Sequence, residues 1–274
     1  MSSTFNQPPA DDDRSAVLPG PVYAVVPAAG TGSRMQLPEN KQFLMLGRYP
    51  VIIRTLRALE ANQRIKGCLV VAAPPEVPAM RELIAASGLE RCLGVAAGGA
   101  TRQDSVANGL RALAVCGLDL ADALVLVHDG ARCFLPPDVI DRVIDGIIRH
   151  QACGAAVAVK DTIKLAGAGG LVEQTLDRAR LWAMQTPQGA SYRLLSQVYD
   201  QAAAQGWQAT DDLALLEMAG QPVWLVPGDY RNIKLTTPED RLLGEQLAWL
   251  ADRGAAGAVD AAENRVIDSQ GGVP

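Results

Sequence analysis

The sequence has little of the material that histidine-based or metal-dependent catalysis uses. Its 274 residues include only two histidines, His128 and His150, which leaves little for a His-rich metal cluster or a Ser-His-Asp triad. The five cysteines are odd in number, widely spaced and without a Cys-x-x-Cys pair, so they indicate neither a disulfide framework nor a zinc site. Chemistry in this chain must therefore depend mainly on arginine, lysine and aspartate.

An excess of positive charge and a long apolar run are also missing. The formal net charge of −5 argues against nucleic acid or an anionic membrane surface as a main partner, because affinity for both depends on positive charge. No apolar run is long enough to cross a membrane, and residues 11–13 are all aspartate where a signal peptide needs an apolar segment. We expect a cytoplasmic enzyme with neither nucleic acid nor membrane as a partner.

The two ends of the chain differ in composition from the part between them. Residues 1–20 and 254–274 are rich in proline, glycine, alanine and aspartate without periodicity, so we predict disordered tails there. The hydrophobic content of 49% suffices for one substantial core. We therefore predict a single domain over residues 21–253.

Short apolar runs alternate with helix-period segments between those ends. The predicted strands are 22–26, 68–72, 92–96, 123–128, 155–160 and 223–226, and the predicted helices include 50–60, 102–114 and 136–149. Strands that are apolar at nearly every position are typical of a parallel sheet covered on both faces. The pattern predicts a Rossmann-like three-layer α/β sandwich with a mostly parallel central sheet.

Residues 161–188 break this alternation. The segment is rich in turn residues around positions 167–170 and is too long for an ordinary connection. We predict a protruding β-arm, and an irregular surface loop is the alternative. Thr162 and Arg178 lie at the two roots of the arm and can point into a crevice, whereas Lys164 and Arg180 can equally be solvated charges.

The first strand leads into a glycine-rich loop with the sequence Pro-Ala-Ala-Gly-Thr-Gly-Ser-Arg-Met at 27–35. Gly30 and Gly32 allow a tight turn that brings backbone N–H groups against an anion, and Arg34 and Lys41 add positive charge. This combination predicts a phosphate-binding loop. An ordinary turn between strand and helix is the alternative.

A second pair of glycines follows another predicted strand. Gly98 and Gly99 can present backbone groups to a flat ring, with Ser105 in the first turn of the next helix. The same residues also fit a plain helix start, which Asp104 favours. Arg102 contacts either phosphate or solvent.

Charged residues follow two later strands. Asp129 lies just past a buried strand, where a carboxylate can hold magnesium that bridges nucleotide phosphates; a helix-cap or turn role is the lesser interpretation. Arg132 follows on the same loop, and His128 is expected to be a hydrogen-bonded structural residue. Lys234 either pairs with a surface carboxylate or faces the same anionic site.

Nine short motifs occur in one order along the chain, at 27–35, 40–43, 98–106, 128–132, 161–164, 177–178, 186–188, 210–211 and 232–236. Together, over about residues 21–250, they resemble the 2-C-methyl-D-erythritol 4-phosphate cytidylyltransferase family. The resemblance implies transfer of CMP from CTP to methylerythritol phosphate with release of pyrophosphate, in the non-mevalonate route to isoprenoids. It also implies a nucleotide-diphospho-sugar transferase type of fold, Mg²⁺ or another divalent cation as cofactor, and a homodimer formed through the β-arm.

The resemblance assigns roles by position. Arg34 and Lys41 match residues that stabilise the transition state around the α-phosphate, and Arg178 and Lys234 match residues that position the sugar-phosphate nucleophile. The predicted nucleotide-binding residues are Ala28, Ala29, Gly30, Gly32, Gly98, Gly99, Arg102 and Ser105. The predicted substrate-binding residues are Asp129, Arg132 and Thr162, with Asp129 also the candidate metal ligand.

Two positions depart from the family pattern. Gly130 stands where the family usually has alanine and is expected to add local freedom, and Cys133 stands where it usually has proline and is expected to offer an exposed thiol. A ribitol 5-phosphate cytidylyltransferase is the nearest alternative function. A dinucleotide-binding oxidoreductase lacks support because the first loop has no third glycine, and a non-catalytic nucleotide-binding module predicts loss of cations that are present.

Overall fold

The computed structural model describes residues 20–30 and 40–253. In chain order the strands are β1 (Val22–Pro27), β2 (Met45–Leu46), β3 (Tyr49–Pro50), β4 (Ile65–Ala72), β5 (Cys92–Ala97), β6 (Leu124–Val127), β7 (Ala152–Ala158), β8 (Lys164–Ala166), β9 (Val172–Thr175), β10 (Trp182–Ser191) and β11 (Trp224–Pro227). The helices are α1 (Val51–Ala61), α2 (Val77–Ala85), α3 (Arg102–Ala114), α4 (Pro137–His150), α5 (Tyr192–Gln205), α6 (Asp212–Met218) and α7 (238–253). The tails predicted at 1–20 and 254–274 lie outside the described residues, except Gly20.

Seven of the strands form one sheet in the order β11-β7-β10-β6-β1-β4-β5. Strand β10 is antiparallel to both β6 and β7, and the other pairings are parallel. The predicted mostly parallel sheet is therefore confirmed. Parallel strands end at one edge of the sheet, which is where α/β proteins bind their ligands.

Apolar side chains are buried on both faces of the sheet. In β1 all six residues are buried; Ala24 and Val26 pack on the face covered by α1, α2 and α4, while Tyr23 and Val25 pack on the face covered by α3, α5 and α6. This alternation explains why β1 reads as a continuous apolar run. The predicted three-layer sandwich is confirmed.

Local sequence signals fix the ends of several helices. Helix α3 begins after Thr101, whose hydroxyl accepts from the Asp104 N–H while the Asp104 carboxylate accepts from the Thr101 N–H, as in a capping box. Helix α5 begins after Ser191 and ends at Gly206, which has a left-handed backbone with φ of 67°. The capping box explains why the predicted start of α3 agrees with the structure.

The protruding part of the chain is shorter than the predicted arm of 161–188. Strands β8 and β9 form an exposed antiparallel hairpin, but β10 belongs to the central sheet and buries Gln185, Thr186 and Gln188. The turn residues at 167–170 and the length of the segment, on which the prediction is based, do not show where the arm ends. In the fold the side chains of these three buried polar residues are satisfied by hydrogen bonds from within the protein.

Of the two departures from the family pattern, Cys133 differs from the expectation. The Cys133 thiol is buried against Leu46 and Leu235, and burial raises its pKa to about 12, so it is not an exposed thiol. A Cβ atom at Gly130 would lie 3.0 Å from Gln42 Oε1, so a larger residue would be crowded, and the local freedom expected of this glycine stays a prediction. Among the described helices, none is long and apolar enough to span a bilayer.

Candidate active site

A cavity of about 370 Å³ lies at the carboxyl edge of the sheet. The loops after β1, β5 and β6 and the segment before α7 supply its walls. Its lining residues are Pro27, Ala29, Gly30, Lys41, Gln42, Gly99, Ala100, Thr101, Arg102, Ser105, Asp129, Ala131, Lys234 and Thr236. Five of the nine motifs, those at 27–35, 40–43, 98–106, 128–132 and 232–236, therefore meet at one cavity.

Eight of the predicted site residues line this cavity, namely Ala29, Gly30, Lys41, Gly99, Arg102, Ser105, Asp129 and Lys234. Ala28, Gly98 and Arg132 lie beside lining residues without forming the wall themselves. Gly32 and Arg34 lie outside the described residues. The sequence therefore located the cavity but did not separate its lining from its support.

The glycine pair after β5 is held by Ser105. The Gly99 N–H donates to Ser105 Oγ at 3.1 Å, and that hydroxyl donates to the Thr101 carbonyl at 2.9 Å. A Cβ atom at Gly98 would lie 2.8 Å from both Ala29 Cβ and Ser105 Oγ, which is closer than side chains pack. The motif is thus both a helix start and a wall of the cavity, so the two interpretations of the sequence are compatible.

Arg102 does not point into solvent. Its guanidinium donates from Nη1 and Nη2 to the two oxygens of Asp212, at 3.0 and 2.7 Å, and from Nε to Asp129 Oδ1 at 3.0 Å. Burial alone would lower the pKa of Arg102, but the two carboxylates raise it above its ordinary value. A permanently charged, oriented guanidinium therefore lines the cavity.

Asp129 gathers three cations. Its Oδ1 accepts from Arg102. Its Oδ2 accepts from Lys234 Nζ at 2.7 Å and lies 3.8 Å from Arg132 Nε. Burial alone would raise the pKa of this carboxyl, but the charges of Arg102 and Lys234 outweigh it and hold the pKa far below its usual range. Asp129 is therefore ionised wherever the protein is folded near neutral pH.

The loop that carries Asp129 is fixed by a chain of neutral hydrogen bonds. The Asp129 N–H donates to Thr186 Oγ1 at 3.0 Å, Thr186 Oγ1 lies 3.1 Å from His128 Nδ1, and His128 Nε2 lies 3.0 Å from the Arg132 carbonyl. These partners require His128 to carry its proton on Nε2, because a carbonyl can only accept. Complete burial lowers the pKa of His128 to about 4. His128 is thus the structural residue that the sequence indicated.

Lys41 is buried and reaches across the cavity. It lies in a short 3₁₀ turn that Asn40 caps by accepting from the Gln42 N–H. Lys41 Nζ donates to the Leu235 carbonyl at 2.8 Å, next to Lys234. Two cations from distant parts of the chain therefore converge on the same wall.

This arrangement agrees with comparisons to known proteins. The family model for 2-C-methyl-D-erythritol 4-phosphate cytidylyltransferase (IspD) matches residues 22–248. The protein of that name from Geobacillus kaustophilus (strain HTA426) is 44% identical over 230 residues, covering 84% of this chain and 97% of its own length. The protein of the same name from Nostoc punctiforme (strain ATCC 29133 / PCC 73102) is 41% identical over 224 residues, which cover 82% of this chain and 96% of that protein.

This chain belongs to the 2-C-methyl-D-erythritol 4-phosphate cytidylyltransferase family. Solved structures agree at the level of the fold. The cytidylyltransferase of this name from Thermus thermophilus superimposes with a TM-score of 0.65 at 33% identity, covering 83% of this chain and 98% of that one. The 4-diphosphocytidyl-2C-methyl-D-erythritol synthase from Anaerococcus prevotii DSM 20548 gives 0.71 at 28% identity, with coverage of 84% and 96%.

Two predicted site residues of this cytidylyltransferase are not at the cavity. Thr162 and Arg178 are exposed on the segment around the hairpin, and Arg178 donates from Nη1 to the Lys160 carbonyl at 2.6 Å. Neither lines the cavity of its own chain. The roles predicted for Thr162 and Arg178 stay predictions.

Other residues of the cytidylyltransferase site were missed in the sequence. Asp212 and Tyr199 are buried next to Arg102, and the Tyr199 hydroxyl donates to Asp212 Oδ1. Burial, followed by the charge of Asp212, raises the pKa of Tyr199 well above its ordinary value. The local sequence shows only a second aspartate directly after the cap residue Asp211, and nothing in it pairs Asp212 with Arg102.

Proposed function

We propose that this cytidylyltransferase transfers CMP from CTP to 2-C-methyl-D-erythritol 4-phosphate in the cavity at the carboxyl edge of the sheet, and releases pyrophosphate. The observation that carries the proposal is the convergence of Lys41, Arg102 and Lys234 on that cavity. The nucleotide enters along the walls formed by the loops after β1 and β5. The acceptor phosphate approaches Lys234.

The chemistry needs no general base from the protein. A phosphate monoester has a second pKa of about 6 and is largely dianionic at neutral pH, so it is already a nucleophile. His128 fits this view, since it is buried and neutral. The main obstacle is the approach of two polyanions, where each like-charge contact at about 4 Å costs about 4 kcal/mol at an effective dielectric of 20.

The cations of the cavity answer that obstacle. Lys41 is proposed to stabilise charge at the α-phosphate, and Lys234 to hold the acceptor phosphate in line with it. Arg102 adds positive charge to the part of the cavity wall where the nucleotide is proposed to bind. Arg34, in the part of the loop outside the described residues, is proposed to act with Lys41.

Magnesium dependence is part of the proposal, but Asp129 does not fit a metal ligand as it lies. Both of its oxygens accept from cationic side chains, and the described residues contain no group of three or more His, Cys, Asp and Glu side chains that could hold a metal ion. A divalent cation supplies charge neutralisation for phosphates when it is bound. No step proposed for this chain's residues depends on Asp129 holding it.

The test offers CTP with methylerythritol phosphate and with ribitol 5-phosphate in parallel, with magnesium or with excess chelator, and measures pyrophosphate release. Release that requires both magnesium and the branched substrate supports the proposal. Release with ribitol phosphate alone changes the acceptor, and chelator-resistant release removes the magnesium requirement. Lys41→Met is the matched inactive control, because it keeps the side-chain length without the charge.

We also propose that the chain works as a homodimer in which the hairpin segment brings Arg178 and Thr162 to the partner's cavity. The hairpin exposes Leu165, Leu171 and Val172, which is an apolar surface suited to burial against a second copy.

CTP is a cytoplasmic metabolite, so the cytoplasm is the proposed location.

Mixing two inactive variants tests the shared site. Lys41→Met and Arg178→Ala chains, when mixed and reassociated, should regain about a quarter of wild-type turnover, because half of the dimers are mixed and one of their two sites is intact. Each variant alone stays inactive. No recovery, or a monomeric mass by light scattering, would contradict the arrangement.

A further inference from the structure

Asp212 is a fully buried carboxylate behind the cavity. It is not part of the cavity wall and is 1% exposed. Its two oxygens accept from Nη1 and Nη2 of Arg102, the Tyr199 hydroxyl donates to Oδ1, and its N–H donates to Gln188 Oε1 at 3.0 Å. Such a carboxylate is held in place from several sides and has little freedom to turn.

Asp212 begins a row of alternating charges that ends in the cavity. Arg102 donates onward from Nε to Asp129 Oδ1 at 3.0 Å, and Asp129 Oδ2 accepts from Lys234 Nζ at 2.7 Å. We call Asp212, Arg102, Asp129 and Lys234 the charge row. It joins four segments far apart in sequence: the starts of α3 and α6, the loop after β6 and the segment before α7.

We infer that Asp212 is a positioning residue for the acceptor side of the reaction, acting on Lys234 through Arg102 and Asp129. The inference rests on the proposed function for its link to the acceptor phosphate. By occupying both terminal nitrogens of Arg102, Asp212 limits that guanidinium to a single bond with Asp129. The second oxygen of Asp129 is thereby left to Lys234.

The chemistry of the two cations explains why such control is useful. A guanidinium is planar and binds a carboxylate with two parallel bonds, so a fixed acid sets its orientation. A lysine is a point charge on a flexible stem and takes the position of whichever acid holds it. Lys234 is 37% exposed on its side chain, so its place depends on Asp129 Oδ2. Without the charge of Asp212, Arg102 would turn toward both oxygens of Asp129 and displace Lys234.

The kinetic test compares Asp212→Asn with Asp211→Asn. Both changes remove one negative charge at the start of α6, and Asn caps a helix as well as Asp does, but only Asp212 contacts Arg102. For Asp212→Asn we expect kcat/KM for the acceptor to fall about tenfold to a hundredfold, and the Kd for CTP by calorimetry to rise by a clearly smaller factor, because Arg102 also lies on the nucleotide side of the cavity. Asp211→Asn should leave both near the wild-type values. Equal effects of the two variants would overturn the inference.

A second measurement does not depend on catalysis. The folded full-length protein is treated with an amine-reactive acetylating reagent, and mass spectrometry of its peptides measures the rate at which Lys234 is labelled. That rate reports how firmly Asp129 holds the ammonium. The rate should rise several-fold in Asp212→Asn and stay unchanged in Asp211→Asn. An unchanged labelling rate in Asp212→Asn would refute the inference that Asp212 acts on Lys234 through the charge row. If wild-type protein releases no pyrophosphate, the proposed function fails while this measurement still decides the inference.

Tyr199→Phe provides a milder variant in case Asp212→Asn does not fold. It removes only the hydroxyl that holds Asp212 Oδ1. We expect a smaller change in the same direction, about twofold to fivefold in both the acceptor kcat/KM and the labelling rate. A change in thermal stability without either of these would show a purely structural role and refute the inference.

Discussion

Replacing Asp129 by asparagine keeps the size of the side chain and removes the charge on which three cations converge. The separations of 2.7 Å to Lys234, 3.0 Å to Arg102 and 3.8 Å to Arg132 correspond to gross attractions of about 6, 6 and 4 kcal/mol at an effective dielectric of 20. Desolvation of the ions offsets most of this. Breaking a buried pair costs about 3–5 kcal/mol, and the partial exposure of Lys234 and Arg102 places Asp129→Asn at the lower end, about 3 kcal/mol.

Thermal and urea unfolding of the ligand-free protein measure this loss. For a domain of this size, about 3 kcal/mol corresponds to a fall in Tm of about 6–12 °C. Asp145→Asn is the matched control, because Asp145 lies 2.7 Å from Arg64 but its side chain is 50% exposed. An exposed pair contributes at most about 1 kcal/mol, so the control should unfold within a few degrees of wild type.

The stability that Asp129 contributes should also depend on pH, in a direction that its lowered pKa fixes. Because the folded-state pKa of Asp129 is lowered, its contribution to stability is complete above the unfolded pKa of about 3.9 and is lost as the pH falls toward the folded-state value. The difference between wild type and Asp129→Asn should therefore be constant at pH 5–7 and shrink below about pH 4. Equal Tm values for Asp129→Asn and Asp145→Asn at pH 7, or a difference that persists unchanged at pH 3, would refute the reasoning.

Three further substitutions test other parts of the structure. Ser105→Ala leaves the Gly99 N–H without its partner and should cost about 1–2 kcal/mol of stability and raise the KM for CTP, as unfolding and steady-state kinetics would show. Because the pKa of His128 is lowered to about 4 in the folded state, wild type should lose stability as the pH falls from about 6.5 to 4. His128→Gln should abolish that loss, and urea unfolding across the range measures it. Gly130→Ala should change stability by less than about 1 kcal/mol in wild type but raise it in a Gln42→Ala background, where the crowding amide is gone; identical effects in both backgrounds would contradict the packing argument.

The sheet and its helices could be predicted because each element has a local cause. The burial of β1 on both faces makes it apolar at every position, and the capping box at Thr101 marks the start of α3. The end of the arm could not be predicted in the same way. Gln185 and Gln188 are polar, and nothing in their immediate sequence shows that Asp229, Asp211 and the start of α6 will satisfy them.

The site shows the same division. Residues on loops directly after strands, such as Gly99 and Asp129, could be placed because the carboxyl edge of a parallel sheet collects such loops. Asp212 could not, because its partner Arg102 is 110 residues away in sequence and the pairing exists only once α3 and α6 pack on the same face. The roles of Thr162 and Arg178 stay predictions, since they are exposed on the hairpin segment of their own chain.

A site that binds two polyanions must also be stable when it is empty. Arg102, Arg132 and Lys234 lie together around Asp129, and without acids among them their mutual repulsion would oppose folding. Asp129 and Asp212 resolve this conflict in different ways. Asp212 is sealed from the cavity, so it fixes Arg102 whether or not ligands are present. Asp129 lines the cavity, so under the proposed function an incoming phosphate would compete with it for Lys234, and the ammonium would pass from the carboxylate to the phosphate.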